Sequence, residues 1–341
     1  MDFSIMTKES GIIMSSKKQI LALLESGRGR NISGGFIAKQ LNISRNAVWK
    51  AVKELEKEGY KIEAVTNKGY RLSEDNDILS VQGMLPYLSP KNISENIPER
   101  IFVHDVLEST NKTAKEMAVS GAEHGTVIVT DSQTAGKGRY GRAFHSPPGH
   151  GLYMSFILHP SKLCFSTPTL ITAFAAVSVC EAVEAVSDKN PQIKWVNDVF
   201  IDGKKICGIL TEAVTDFESG NTQWIVVGIG VNLRISPAEL PEDLKQVAGA
   251  VFEKDNLPIT RNRLCSEIAN RIIHPENHNE KEMLEKYRQR MYMLGKKVLV
   301  TGTAETYEAV AVGIDDIGRL IVKRNNGELL SLSAGEIRIK L

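Results

Sequence analysis

The dipeptide Asp202-Gly203 stands between two apolar runs, residues 199–201 and 205–214. Asp-Gly at such a place is a strong hairpin signal, because both residues of a two-residue turn take positive φ angles. Around it, strand-like segments at 101–104, 126–130, 151–158, 193–195 and 224–231 are mixed with helix-like segments at 110–120, 168–186, 264–273 and 282–292. Hairpins mixed with helices predict an α+β domain built on a mixed sheet, and exclude a doubly wound parallel one.

A second constraint is the stretch 132–149, Ser-Gln-Thr-Ala-Gly-Lys-Gly-Arg-Tyr-Gly-Arg-Ala-Phe-His-Ser-Pro-Pro-Gly. Lys137, Arg139 and Arg142 alternate with glycines, which leaves too little apolar surface to build a core. Ordering glycine costs entropy, so something else must offset that cost, and an anionic ligand has the right charge. Backbone amides and cations on such a loop can wrap an anion. The GxxxxGK[ST] of a Walker A cradle is absent, and composition alone fits a basic surface loop nearly as well.

Charge divides the chain. Residues 17–72 hold twelve Lys/Arg against five Asp/Glu, a net +7, which leaves −6 for the rest of a chain whose total is +1. Ile20, Leu21 and Leu24 share one helical face, Ser33 caps a second helix and Ser44 a third. The third buries Ala47, Val48, Ala51, Val52 and Leu55 and presents Arg45, Asn46, Trp49, Lys50 and Lys53 on the opposite face. Two short strands follow around the turn at 66–69, with Lys68 and Arg71 placed to meet phosphates. Residues 15–76 thus predict a winged helix-turn-helix, with Ser44, Arg45, Asn46, Trp49, Lys50, Lys53 and Lys68 as its DNA contacts. A helical protein-interaction module with a solvated basic face is the other reading. The polar run 73–77 marks a linker.

With 341 residues, 42% hydrophobic, the chain is long enough for two or three domains. Cys164, Cys180, Cys207 and Cys265 are widely spaced in apolar runs with no CxxC pair, and read as reduced core residues of a cytosolic protein. The histidines show no ligand spacing such as HExxH, so no structural metal site is visible. No apolar run approaches a membrane span and no signal-peptide pattern is present, which predicts a cytoplasmic protein without a membrane partner. Met14 is a plausible alternative start, with the residues before it a disordered extension.

Three further places look chemical. Ser109-Thr110-Asn111 follows a strand and opens a helix, where Ser and Thr usually serve as caps. Lys194-Trp195-Val196-Asn197-Asp198 puts a lysine, an amide and a carboxylate at the end of an apolar strand. Lys205 begins the strand that runs through Gly208, a place where a lysine is usually solvated. Gly228-Ile229-Gly230-Val231-Asn232 lacks the third glycine and the helix of a dinucleotide fingerprint.

In this order the segments resemble the biotin–protein ligases. The resemblance is carried by Glu108 to Asn111, Gln133 to Arg142, His145 to Pro147, Lys194 to Asp198, Lys205 to Leu210 and Gly228 to Asn232. The module ending in Lys68-Gly69-Tyr70-Arg71-Leu72 resembles the DNA-binding domain of the bifunctional members, which are both ligase and biotin operon repressor. Nearly all of residues 17–341 is covered. Lys137 stands where the family has an arginine, Tyr140 fills its variable place, Val196 replaces a proline and should loosen that turn, and Phe144 replaces a common tryptophan.

The resemblance implies activation of biotin by ATP, with Mg²⁺, to biotinyl-AMP and transfer to a lysine on the biotin carrier domain of carboxylases. It also implies repression of biotin genes by an adenylate-bound homodimer on operator DNA. It assigns catalysis to Lys205 and Arg139, and biotin binding to Ser109, Thr110, Asn111, Gln133, Lys137, Gly138, Arg139 and Lys205. Nucleotide binding falls to Arg142, Phe144, Asn197, Asp198 and Asn232. Residues 80–292 would be the catalytic domain. Residues 293–341, with short alternating strands at 297–301, 309–314, 320–323 and 329–333, read as an SH3-like β-barrel. A ligase with a vestigial DNA-binding domain, a lipoate-type acyl-adenylate ligase and a non-enzymatic sensor are the alternatives.

Overall fold

The computed structural model describes residues 15–339 except 166, 217, 236, 237, 239, 254–257, 302–304 and 334; the alternative start at Met14 lies outside the described residues. Helices α1 (Ser16–Ser26), α2 (Gly34–Leu41) and α3 (Arg45–Lys57) are each opened by a serine, Ser15, Ser33 and Ser44, whose hydroxyl accepts a first-turn N–H. Asn42, at φ 52, makes the tight turn between α2 and α3. Ile20, Leu24, Ile37, Val48 and Val52 close a core of their own. Strand β1 (Ile62–Val65) pairs antiparallel with β2 (Gly69–Leu72) as the wing.

The expected linker is a packed joint. Arg28 Nη1 donates to the carbonyls of Ser73 at 3.2 Å and Asn76 at 2.5 Å, and Asn76 Oδ1 accepts the Lys61 N–H at 3.0 Å. Arg28 also pairs with the buried Glu25, whose carboxyl burial pushes up against the pull of that guanidinium.

The central sheet contains β3 (Ile101–Leu107), β4 (Thr126–Gln133), β5 (Gly151–Leu158), β6 (Gln192–Lys194), β7 (Asp198–Ile201), β8 (Lys204–Thr215) and β9 (Thr222–Asn232). Their order is β3-β4-β5-β9-β8-β7-β6, with β3 and β4 parallel and the remaining pairs antiparallel. The mixed sheet expected from the Asp202-Gly203 signal is therefore present. One face carries α4 (Thr110–Val119), whose Ala114 and Ala118 pack on Ile128, Ile157 and Val226. The opposite face carries α5 (Pro168–Val186), α6 (Arg261–Ile272) and α7 (Glu280–Gln289).

Helix α5 corrects one expectation. Its nineteen residues are long and apolar enough, by length and composition, to cross a membrane. A helix apolar on all sides is also what the centre of a large core requires. Fourteen of its residues are buried, among the sheet, α6 and α7. Cys180, Cys207 and Cys265 are free and buried and Cys164 is half-buried; burial pushes the Cys265 thiol up to about 12.

The C-terminal module is a five-stranded antiparallel sheet of β10 (Lys297–Thr301), β11 (Thr306–Ile314), β12 (Leu320–Arg324), β13 (Leu329–Leu332) and β14 (Glu336–Ile339), in the order β13-β12-β11-β10-β14. Strand β14, which the alternation did not reveal, returns the chain to β10. The module docks through Trp195 Nε1, which donates to Gly318 O at 3.0 Å, and through Arg288 Nη2, 2.9 Å from Asp316 Oδ1.

Asp202 and Gly203 have φ 50 and 74, with Ile201 paired to Lys204 across them. No atom lies within 4 Å of where a Gly203 side chain would begin. Gly203→Ala therefore perturbs only the left-handed backbone, and urea unfolding should show a loss of about 1 kcal/mol with an unchanged slope. Equal stability of the two proteins would show that the turn does not need this conformation.

Candidate active site

A cleft of about 1200 Å³ opens over the middle of the central sheet. Its floor is bare backbone. Gly208 of β8 and Gly230 of β9 are directly paired, as are Leu210 and Gly228. A side chain on Gly230 would begin 2.4 Å from the Phe144 ring, and one on Gly228 would begin 2.0 Å from Asn111 Oδ1. Glycines two apart in a strand face the same way, so Gly228-Ile229-Gly230 seats Asn111 and Phe144 side by side. The sequence displayed that spacing, but its meaning depends on what lies across the floor.

Lys205 reaches the cleft through a bulge. Val199 pairs with Cys207 but Phe200 with Lys205, which leaves Ile206 as the extra residue. In a regular strand Lys205 and Gly208 would face opposite sides. Here Lys205 Nζ lies 3.3 Å from the place of a Gly208 side chain, while Ile206 and Cys207 both stay buried. Lys205 Nζ pairs with Asp198 Oδ1 at 2.6 Å. On the adjacent residue, Asn197 Oδ1 accepts from Arg139 Nη1 at 3.2 Å. One dipeptide therefore anchors both cations.

That dipeptide is itself held firmly. Asn197 Nδ2 donates to Ile209 O at 2.8 Å, and Asn197 O accepts the Ile209 N–H at 2.9 Å. The preceding turn, which Val196 was expected to loosen, has a cis Trp195-Val196 peptide and two buried side chains. Tyr287 OH donates to Val196 O at 3.1 Å, so the turn is tied to α7 as well as to the C-terminal module.

At the other end of the cleft, Gln133 Oε1 accepts the Thr110 N–H at 2.9 Å and its hydroxyl at 3.3 Å, while Nε2 donates to Ser146 Oγ at 2.9 Å. Ser109 opens α4 but makes no capping bond with its side chain, so the cap explanation does not apply; the residue lines the cleft. Asn111 is committed internally. Its Nδ2 donates to Leu210 O at 3.1 Å and Glu212 Oε2 at 2.8 Å, and its Oδ1 accepts from Ser155 Oγ at 2.7 Å. Burial alone would raise the Glu212 carboxyl, but hydrogen bonds from Lys115 and Asn111 hold it below its ordinary value.

The glycine-rich loop folds on itself. Phe144 N donates to Gly136 O at 2.8 Å and Gly138 N to Arg142 O at 2.7 Å, around a tip at Tyr140 and Gly141 with φ 57 and 73. Lys137, Gly138 and Arg142 line the cleft. Asn232 does not: its Nδ2 donates to Gly249 O at 3.0 Å, bracing the strip whose Val247 O accepts the Lys205 N–H. That strip and the C-terminal Gly335, Ile337 and Arg338 also border the cleft, and no pattern in the sequence pointed to them.

On the winged module, Arg45, Asn46, Trp49, Lys50 and Lys53 share the exposed face of α3, and Lys68 is exposed at the wing. Ser44 is spent as the cap of α3, Lys53 pairs with Glu56 at 2.6 Å, and Arg71 pairs with Glu63 at 2.5 Å. Phe36, 53% exposed at the start of α2, is an addition that helical periodicity alone did not single out.

Residues 103–232 match the Biotin/lipoate A/B protein ligase family, residues 16–71 an HTH domain and residues 293–339 the Biotin protein ligase C terminal domain. The bifunctional ligase/repressor BirA of Bacillus subtilis is 36% identical over 318 residues, which cover 91% of this chain and 95% of that protein. The biotin–[acetyl-CoA-carboxylase] ligase of Mycobacterium tuberculosis is 29% identical over 67% of this chain and 85% of its own length. The solved structure of the biotin protein ligase from Aquifex aeolicus in complex with biotin and ATP aligns with a TM-score of 0.60 at 27% identity, over 70% of this chain and 98% of that one. With matches to all three modules and a relative this similar along almost its whole length, the chain belongs to the family of bifunctional biotin–protein ligases and repressors.

Proposed function

We infer that the protein activates biotin with ATP, transfers it to a lysine of a carboxylase's biotin carrier domain, and represses biotin genes when loaded with biotinyl-AMP. The observation that carries the chemistry is the convergence of Lys205 and Arg139 on Asn197-Asp198. Biotin's carboxylate and the ATP α-phosphate repel one another, and fixed cations between them stabilise the charge that develops as they join. A carboxylate oxygen bonds to the α-phosphorus while the bond to the β-phosphate breaks and pyrophosphate leaves. The carrier lysine's amine then attacks the acyl carbon and AMP departs.

In this reading Ser109, Thr110 and Gln133 hold the ring end of biotin, and Asn111 holds the floor beneath it. Lys205 exchanges Asp198 for the reacting carboxylate and phosphate, and Arg139 exchanges Asn197. Lys137, Gly138 and Arg142 supply the wall, with Phe144, Asn197 and Asp198 beside the nucleotide and Asn232 supporting the strip at 247–249. Mg²⁺ enters with ATP. Among the described residues no cluster of three or more ligating side chains stands ready for it; phosphate oxygens would supply most of its ligands, with Asp198, which lines the cleft, as a carboxylate that could add to them.

The division into units at 15–76, 80–292 and 293–341 is part of the same proposal. One winged module makes few contacts, so tight operator binding calls for a homodimer on a two-fold symmetric site. A carrier domain, ATP and operator DNA as partners support a cytoplasmic location.

Incubation with ATP, a biotin carrier domain and labelled biotin or lipoate tests the substrate. Label from biotin alone is expected; lipoate labelling would assign the chain to the other branch of its family, and no labelling would remove the enzyme assignment. Lys205→Ala and Arg139→Ala should each keep the fold and lower adenylate formation by about 10²-fold or more, since each removes a cation facing developing charge. Wild-type rates in either would contradict the mechanism. Lys50→Glu should weaken operator binding about tenfold, reduce its salt dependence, and leave biotin transfer unchanged. Unchanged operator affinity would take α3 out of the DNA interface.

A further inference from the structure

The mechanism leaves one charge cluster, built around a buried arginine, without a role. Arg261, the first residue of α6, is only 5% exposed, and charges are seldom buried so far unless they are paired. Its N–H and Nε donate to Asp77 Oδ1 and Oδ2 at 2.7 and 2.9 Å, and Nη2 donates to Asp77 O at 2.8 Å. Nη1 pairs with Asp131 Oδ1. The same oxygen accepts the Gly149 N–H at 3.0 Å, and Gly149 O accepts from Arg234 Nε at 2.7 Å. Arg234 Nη2, 3.3 Å from Asp77 Oδ2, closes the ring. Two guanidiniums face two carboxylates, so the cluster is balanced.

What the ring touches gives it a purpose. Asp131 immediately precedes the stretch 132–149, and Gly149 ends it. Asp77 follows Asn76, whose carbonyl is held by Arg28 of the winged module. Both ends of the ligand-facing loop therefore meet on Asp131, and Arg261 joins Asp131 to Asp77 at the joint to the DNA-binding module. A guanidinium is a planar, rigid fork, so Asp131 cannot shift against it without pulling on Asp77.

We propose that Arg261 and Asp131 are positioning residues with two outputs. Through the ends of the loop they hold Gln133 and Arg139 in register for adenylation. Through Asp77 they pass the loop's state to the winged module within one chain. The inference rests on the function proposed above and adds to it the route by which occupancy of the cleft reaches the DNA-binding face.

The test uses the full chain with Asp131→Asn, which removes the charge at constant shape, and Arg261→Lys, which keeps the charge and loses the fork. Adenylation kinetics and operator affinity with and without biotin plus ATP are measured, with thermal unfolding to establish that each variant is folded. KM for biotin should rise about tenfold with kcat within about twofold. The factor by which biotin plus ATP tightens operator binding should fall about tenfold, while ligand-free operator affinity stays at the wild-type value. If Asp131→Asn does not fold, Arg261→Lys and Arg234→Gln, the latter on the more exposed side of the ring, carry the same measurements. Folded variants with wild-type KM and wild-type ligand response overturn the proposal, as does an equal loss of operator affinity with and without ligand. A wild-type protein that makes no adenylate would instead sink the function on which it rests.

Discussion

In the reaction proposed above, this cleft must bring two negatively charged molecules together between two cations, each held in place beforehand. The protein does this by giving each a partner on adjacent residues, Asp198 for Lys205 and Asn197 for Arg139. A charged partner and a neutral one leave the two cations differently held. The ammonium keeps a full counter-charge, whereas the guanidinium keeps only neutral partners, Asn197 Oδ1 and the Tyr140 hydroxyl, both at 3.2 Å. In the proposed mechanism substrate oxygens take over these contacts, so little reorganisation would be required when charge develops.

Much of the remaining structure serves to fix that dipeptide and the floor beside it. Tyr287 of α7 and Gly318 of the C-terminal module both bond to the Trp195-Val196 turn, so the small sheet contributes to the site from behind as well as lining its edge. The bulge at Ile206 lifts Lys205 onto the glycine face without exposing the core. The paired Gly208 and Gly230 then admit Phe144, and Gly228, paired with Leu210, admits Asn111 where a side chain would collide.

The sequence displayed the elements better than their joins. Ser33 and Ser44 cap helices as their positions suggested, α5 has the bounds its apolar run suggested, and Asp202-Gly203 makes the turn that forces antiparallel pairing. Residues that act locally are legible because their neighbours in sequence are their neighbours in space. The bulge was not, since a register shift exists only relative to a partner strand. Residues 73–77 looked like a solvated linker because their partners, Arg28 and Arg261, lie far away in sequence. Asn232 carried a family motif but braces Gly249, and Asn111 braces Glu212 and Ser155. In α5, composition alone could not separate a buried core helix from a membrane span.

A structure of the protein with biotinyl-AMP bound tests the central claim most directly. The handover predicts Lys205 Nζ at a hydrogen-bonding distance of about 2.8 Å from an oxygen of the acyl-phosphate group, with Arg139 also on the phosphate. Asp198 and Asn197 should keep their present backbone positions. A Lys205 still paired with Asp198, with the phosphate neutralised elsewhere, would contradict it.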